Sequence, residues 1–462
     1  MSVLPGAKGA LTCLGTLMVL SAGAASANEA AINASISAGL RYYTNDGLYV
    51  GQSSAGAEAF AEIGVDGYYG AGEGRLNFDL EGVIDSTGTL NSFNIAELNY
   101  THSFGAWSVL AGFHTENWGV AESRSVMNVM NPLNGADPVV EDALLGTPML
   151  NINYQSGVGT FSVYALLGFV EPIYPDGQDG RFRSFLQWDP DRAYYEEEDD
   201  ARHLDIALRY SGYFSLGAGS LDVQATYFNG TSREALAMPG CINSLGPVTE
   251  TVCDAINDGI AAAVASSGNA VDDVDGFWDA MEANMTDDLA RFISGVPQVV
   301  GLIPYYQKLE QVGLSAVYAI NDLQLRFEAS YHDAGPSEYL SAVVGGDYTF
   351  NGFAGGQGDL TVALEYLYDD RGALQPVTVF EDDVFLGMNY RLNNTNDTEF
   401  KLGIFHDTSS EARLYTLGVS SRLSDASSFE INASHVTTTG WNDPLAFIKD
   451  DSFVEMKITS YF

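Results

Sequence analysis

Residues 451–462 read D-S-F-V-E-M-K-I-T-S-Y-F. Val454, Met456, Ile458 and Phe462 fall on one side of an extended chain, and Glu455, Lys457, Thr459 and Tyr461 on the other. That is the period of two of a β-strand with one apolar and one polar face. The pattern runs to the final residue. It sets the phase against which every other segment is read.

Similar runs recur after Ala31. Leu76–Glu81, Leu204–Tyr210, Leu221–Tyr227 and Leu323–Ala329 each alternate apolar with polar or charged side chains. The spacing predicts about 18 such strands, with 16 and 20 as the bounds, each long enough to cross a bilayer at a tilt. Tyr and Phe gather at run ends, as at Tyr68-Tyr69, Tyr100, Phe104, Trp107 and Tyr348–Phe350. The connectors alternate in length. Tyr69–Glu73, Phe104–Ala106, Ser156–Gly159, Phe214–Leu216, Ile320–Asp322, Phe350–Gly358, Asn393–Asp397 and Ser424–Ala426 are tight. Between them come Gly119–Gly146, Val170–Asp200, Gly230–Pro304, Asp369–Glu381 and Thr438–Asp450, with shorter links near Ser86–Asn91, Ala334–Ser337 and Ser409–Ser410. A sheet with turns at one end and loops at the other fits an all-β, up-and-down transmembrane barrel.

Composition narrows the function classes. The chain has 20 Lys plus Arg against 61 Asp plus Glu, a formal charge of −41, which excludes electrostatic binding of nucleic acid. Its 25 Tyr and 24 Phe separate it from disordered acidic chains. The acidity reads either as solubility in a salty habitat or as attraction of cations. Residues 1–27 have the form of a signal peptide: Lys8, an apolar run from Ala10 to Leu20, and Ala25-Ser26-Ala27 before the cleavage point. Export leaves Cys241 and Cys253, predicted to form a disulfide in an oxidising compartment. Residues 28–462 are then a single barrel.

Gly230–Pro304 breaks the strand pattern. Val252, Ile256, Ile260 and Val264, and then Phe277, Met281, Met285 and Leu289, recur at intervals of four and predict two helices over Thr249–Ser266 and Asp275–Ile293. The insertion reads as a surface loop narrowing the barrel mouth, or as a lid or plug.

With the apolar face outward, the inner face of the early strands carries Glu58, Glu62, Asp66, Asp79, Glu81 and Glu97, and that of the late strands Arg391, Lys401, Arg422 and Lys457. This predicts an acidic wall opposite a basic one, with mixed stretches such as Arg326 and Glu328 neutralising each other. Gly119–Gly146, with Arg124, Asn128, Glu141 and Asp142 among Val126, Met127, Val129 and Met130, is apolar enough to fold inward as a constriction loop. Val170–Asp200 sets Arg181, Arg183 and Arg192 beside Glu196–Asp200, a solvated rim or a divalent-cation site. The chain shows no G-x-S-x-G, H-E-x-x-H, P-loop or C-x-x-C motif, and its six histidines are scattered. No enzyme, cofactor or bound metal is expected.

Signal peptide, alternating strands, loop rhythm and Phe462 together resemble the outer-membrane β-barrels of Gram-negative bacteria. The resemblance implies a porin-like channel for small hydrophilic solutes, surrounded by lipid and lipopolysaccharide and open to homo-oligomer formation. It also implies that Phe462 is read by the barrel-assembly machinery, although Ser460 stands where that class has a large residue. The W-G and N-P loop (Trp118-Gly119, Asn131-Pro132) is similar to that of large substrate-channel barrels of the alginate-export type. The other readings are a gated channel or exporter for a larger or hydrophobic molecule, and a non-transporting surface barrel.

Overall fold

The computed structural model describes residues 28–135, 144–174, 180–197, 202–243, 250–265, 283–296, 299–335, 337–372, 374–438 and 440–462. The expected signal peptide (1–27), Glu141 and Asp142, and most of the stretch expected to begin the second helix lie outside them.

Eighteen strands of the described residues close into one antiparallel barrel. In order they are β1 (Asn28–Tyr43), β2 (Gly56–Ala71), β3 (Gly74–Asp85), β4 (Ser92–Phe104), β5 (Trp107–His114), β6 (Thr147–Ser156), β7 (Gly159–Leu167), β9 (Leu204–Leu216), β10 (Gly219–Thr231), β13 (Lys308–Ile320), β14 (Leu323–Ala334), β15 (Ser337–Phe350), β16 (Asp359–Asp369), β17 (Asp382–Arg391), β18 (Glu399–Asp407), β19 (Arg413–Ser424), β20 (Ser427–Thr437) and β21 (Phe453–Tyr461). The missing numbers belong to a small sheet outside the barrel: β8 (Tyr194–Tyr195), β11 (Leu236–Cys241) and β12 (Val300–Tyr306). Neighbours in sequence pair with neighbours, and β21 closes on β1. Phe462 extends that seam, its amide donating to the Ala34 carbonyl at 2.8 Å. Closure matters because an unpaired strand edge in lipid leaves backbone groups unsatisfied.

The phase read from the last strand holds. Val454, Met456 and Ile458 are 46%, 53% and 48% exposed, whereas Glu455 and Thr459 are 3% and 7%. Ile32, Ile36 and Leu40 on β1, Leu76 and Ile84 on β3, and Leu364 on β16 are likewise exposed on the outside. Near the tight turns the exposed residues are aromatic: Tyr69, Phe104, Trp107, Tyr154, Phe161, Phe214, Phe350 and Phe400. This belt is the interfacial girdle of a spanning barrel.

The tight turns occupy 72–73, 105–106, 157–158, 217–218, 321–322, 351–358, 392–398 and 425–426. Gly105 and Gly217 both take φ 62°, which two-residue hairpin turns demand, and Asn321 takes φ 52° in the same role. The opposite end carries the loops: L1 (44–55), L2 (86–91), L3 (115–146), L4 (168–203), L5 (232–307), L6 (335–336), L7 (370–381), L8 (408–412) and L9 (438–452).

L5 holds helices Glu250–Ala265 and Asp287–Gly295. Cys241 and Cys253 form the disulfide. The helical insertion also contains β11 and β12, which with β8 form a three-stranded sheet. One expectation needs correction: the buried stripe of the first helix is Cys253, Asn257, Ala261 and Val264, while Val252 and Ile256 are exposed. The rotation follows from Asn257, which accepts from the Cys241 amide at 2.7 Å and donates to its carbonyl at 2.8 Å. Together with the disulfide, this turns that face onto the strand end.

Candidate functional site

L3 leaves β5 and turns into the barrel. Asn131 ties its two ends, accepting from the Glu116 amide and donating to the His114 and Leu145 carbonyls. Asn128 accepts from the Trp118 amide at 2.8 Å. Its expected place at the constriction is therefore that of a brace within the loop. Trp118, Met127 and Met130 are buried against Leu110, Met149, Tyr164, Leu166 and Phe228 of the inner wall.

The crest of the loop reaches β14 and β16, with β6, β7, β9, β10 and β13 lying between them and β5. Two carboxylates receive it. Glu328 accepts from the amides of Val120, Ala121 (2.7 Å) and Val126 (3.1 Å) and from Ser125 Oγ (2.9 Å). Glu365 accepts from the Glu122 and Ser123 amides at 2.9 and 2.8 Å and from Ser123 Oγ at 2.5 Å. Both are fully covered. A buried carboxylate is tolerated because donors replace its water. Ser330 Oγ and Gln311 Nε2 add bonds to the Val126 and Met127 carbonyls.

Arg326 does not pair with Glu328. It bridges Asp347 (2.6 Å) and Glu122 of the loop (2.8 Å). Arg124 packs over Phe380 of L7 and reaches Glu234 of L5 at 3.9 Å; Glu234 also meets Arg371 at 3.0 Å. There the two guanidinium groups hold the Glu234 carboxyl below the usual carboxylate range against the opposing effect of burial, the largest influence on it. A cavity of about 530 Å³ lies above the crest between L3, L4, L5 and L7.

The inner face of β2–β4 is different. By register Asp66 faces Asp79, and Asp79 faces Glu97 on the next strand. Asp66, Asp79 and Glu81 remain exposed. Glu97 lies 3.0 Å from His114, which meets Glu116 at 3.2 Å, and Glu116 meets Arg209 at 2.6 Å. Glu58 stands opposite Arg41. The predicted basic wall does not oppose these acids. Lys457 sits on the strand that closes the barrel and contacts Glu62 at 3.4 Å and Glu430 at 3.3 Å. Residues farthest apart in sequence become neighbours when the first and last strands pair. Arg391 and Lys401 share Glu399, and Arg422 pairs with Asp397, all beside the tight turns.

L4 crosses the mouth. Arg181 forms a buried ion pair with Asp451 at 3.0 Å and donates to the Asn45 carbonyl. Phe182, at φ 60°, wedges between Tyr43 and Phe453. Arg183 bonds the Val50 carbonyl and lies over Tyr49. Arg192 bridges Glu250 and Asp254 of L5. L5 reaches the same side: Arg291 donates to the Leu48 carbonyl, and Asp287 pairs with Lys449. Phe185, Leu186, Leu48, Tyr49, Ala237, Met285, Ala290 and Leu302 make one apolar cap from L1, L4 and L5. Of the acidic run, Glu197 meets Lys308 and His203, and Glu196 accepts from the Lys308 amide; residues 198–200 are outside the described set.

Glu365 and Asp451 carry no signal in the sequence, and Arg181 and Glu328 take other partners than the sequence suggests: Asp451 for the first and the L3 amides for the second. The inward phase of Glu328 was visible in the Leu323–Ala329 alternation; its partner in L3 was not.

No protein-family model matches the chain, and no curated protein sequence does. Among solved structures the chain is similar to Pseudomonas putida OprB at high pH, with 9% identity, a TM-score of 0.43, and 97% of this chain and 96% of the other covered. It is also similar to mutants of the Rhodopseudomonas blastica porin. One has 12% identity and a TM-score of 0.39, and another 13% and 0.38; each covers 94% of this chain and all of the other.

Proposed function

We propose that this chain is an outer-membrane channel for passive diffusion of small hydrophilic solutes and ions, with cations favoured over anions. The observation that carries the reading is the pairing of an apolar, aromatic-edged exterior with a polar interior into which L3 folds. The exterior asks for lipid, and the interior has no use there unless water fills it. A barrel of this strand number leaves a lumen that only loops can narrow. L3 narrows it from one side and leaves the acidic face of β2–β4 exposed to solvent. Carboxylates along a confined path raise the local concentration of cations. Delivery through a cleaved signal peptide, assembly through Phe462, contact with lipopolysaccharide and association into homo-oligomers belong to the same reading.

The cap supports a second reading, a gated channel, because L4 and L5 span the mouth and are fastened to the far wall. Purified protein in planar bilayers separates the two. Stable conductance steps from the intact chain support free diffusion. Silence that is relieved when L5 is replaced by a short turn supports the gate. A barrel silent in both forms overturns the channel.

A further inference from the structure

Above the crest of L3, two neighbouring strand residues keep hydrogen-bond acceptors that no group of the described protein fills. Gln311 on β13 and His332 on β14 are register partners, so their side chains stand side by side on the inner wall. They are 1% and 7% exposed. Gln311 donates through Nε2 to the Met127 carbonyl, and its Oε1 is buried with no partner. Ser330 Oγ gives its one hydrogen to the Val126 carbonyl at 2.6 Å, so at its 2.7 Å contact with His332 Nε2 it accepts. That sets the tautomer. Nε2 carries the proton, and Nδ1 is a bare acceptor, buried and without a partner. The imidazole lies flat on Tyr339, with ring centroids 4.2 Å apart and planes 2° from parallel. A buried ring with no carboxylate against it stays neutral.

Both residues line the cavity of about 530 Å³ between L3, L4, L5 and L7. The charged lining is balanced, with Glu122, Glu234 and Asp369 set against Arg124, Arg233 and Arg371. Each has an opposite charge beside it. Glu122 has Arg326, Glu234 has Arg124 and Arg371, Asp369 has Arg371, and Arg233 has Asp205. An ion in this chamber meets no excess of the opposite sign, in contrast to the acidic face of β2–β4. The unmet demand is for donors to two adjoining neutral acceptors, and a buried acceptor without a donor is unfavourable. L4 contributes flat apolar surface to the same cavity: Tyr174 and Trp188 are half-buried and stack with centroids 4.6 Å apart.

We propose that this chamber is a binding site for uncharged ring solutes carrying two neighbouring hydroxyl groups, the chemistry shared by a sugar and by the ribose of a nucleoside. One hydroxyl donates to His332 Nδ1 and its neighbour to Gln311 Oε1. Inward partners on paired strands hold their Cβ atoms about 5 Å apart, a spacing that two hydroxyls on adjacent ring carbons can bridge. Tyr174 and Trp188 supply apolar surface for the face of a ring, and few polar groups on a largely apolar lining are enough to orient a solute. Other donors fit less well. An ammonium group is opposed by the guanidinium groups of Arg124 and Arg371, and an anion brings acceptors to a wall that already has them in excess. The site stands whether or not the lumen conducts.

The test is ligand-observed NMR on the intact chain in detergent, which reads binding without any need for conduction. The probes are adenosine and glucose, each against an analogue without neighbouring hydroxyls: dideoxyadenosine lacking both ribose hydroxyls, and fully methylated glucose. Saturable binding of adenosine alone assigns the nucleoside source, and of glucose alone the sugar; in each case the stripped analogue should bind at least fivefold more weakly, as loss of a hydrogen bond implies. His332→Phe, which keeps a flat ring on Tyr339, and Gln311→Met should each weaken the bound probe by roughly fivefold. If these variants do not fold, the comparison of each probe with its analogue on the unaltered chain carries the test. No saturable binding of either probe would overturn the proposal. So would analogues that bind as well as their parents, or binding unchanged in both variants.

Discussion

Glu328 and Asp79 both point inward from barrel strands, yet Glu328 is fully covered and Asp79 is open to solvent. The first accepts three amides and a hydroxyl of L3; the second faces two more carboxylates, Asp66 and Glu97. One half of the inner wall is thus a docking surface and the other a charged lining. The charged group is the same, a carboxylate, and the strand phase is the same. What separates them is whether a loop supplies donors. Without donors a carboxylate keeps its water and its charge stays available to solutes; with them it becomes a structural anchor.

The largest effect should come from removing the anchors. Glu328→Ala with Glu365→Ala strips seven hydrogen bonds from the L3 crest. Each bond to a charged acceptor contributes about 1.5–3 kcal/mol locally. The loop should come away from β14 and β16, and single-channel conductance should rise with loss of steady steps. A variant with wild-type conductance would show that the apolar face of L3 holds it unaided.

Next is the cap over the mouth. Cys241→Ser with Cys253→Ser should cost the insertion about 2–3 kcal/mol, seen as faster proteolysis within 230–304 while the barrel stays intact. Equal resistance of both forms would show that Asn257 and the apolar packing suffice.

Asp451 gives a third contrast, between a covered acid with a base and the exposed acids. Burial, which outweighs Arg181, pushes its carboxyl up to about 6. The folded state therefore holds the proton more tightly than the unfolded chain, whose aspartates titrate near about 4. Its stabilising contribution is complete below that value and is lost as pH rises through about 6. The thermal midpoint of the wild type, measured against Asp451→Asn, should fall between pH 4 and 7. The opposite trend would mean that the ion pair outweighs burial.

The smallest structural effect belongs to the open half. Asp66→Asn, Asp79→Asn and Glu81→Gln together should change stability within about 0.5 kcal/mol per site but reduce cation preference. A large loss of stability would place these acids in the packing instead.

The strand phase, the turn and loop rhythm, the inward course of L3 and the cysteine pair were legible because each depends on local spacing. The pairing of Lys457 with Glu62 was not, because closure joins the two ends of the barrel. Nor was the strap from Arg181 to Asp451, since a loop's landing point leaves no periodic trace. The exposed face of Val252 and Ile256 was misjudged because Asn257, a polar residue, sits at the centre of the buried stripe. Glu328 looked like a lumen charge for the same reason as Asp79: alternation reports which way a side chain points and nothing about what covers it.

The direct test of the two-sided lumen is the reversal potential of the intact channel under a potassium chloride gradient, before and after neutralising Asp66, Asp79 and Glu81. The account predicts a cation-selective potential that moves toward zero in the variant. An anion-selective channel, or a potential unchanged by the substitutions, would contradict it.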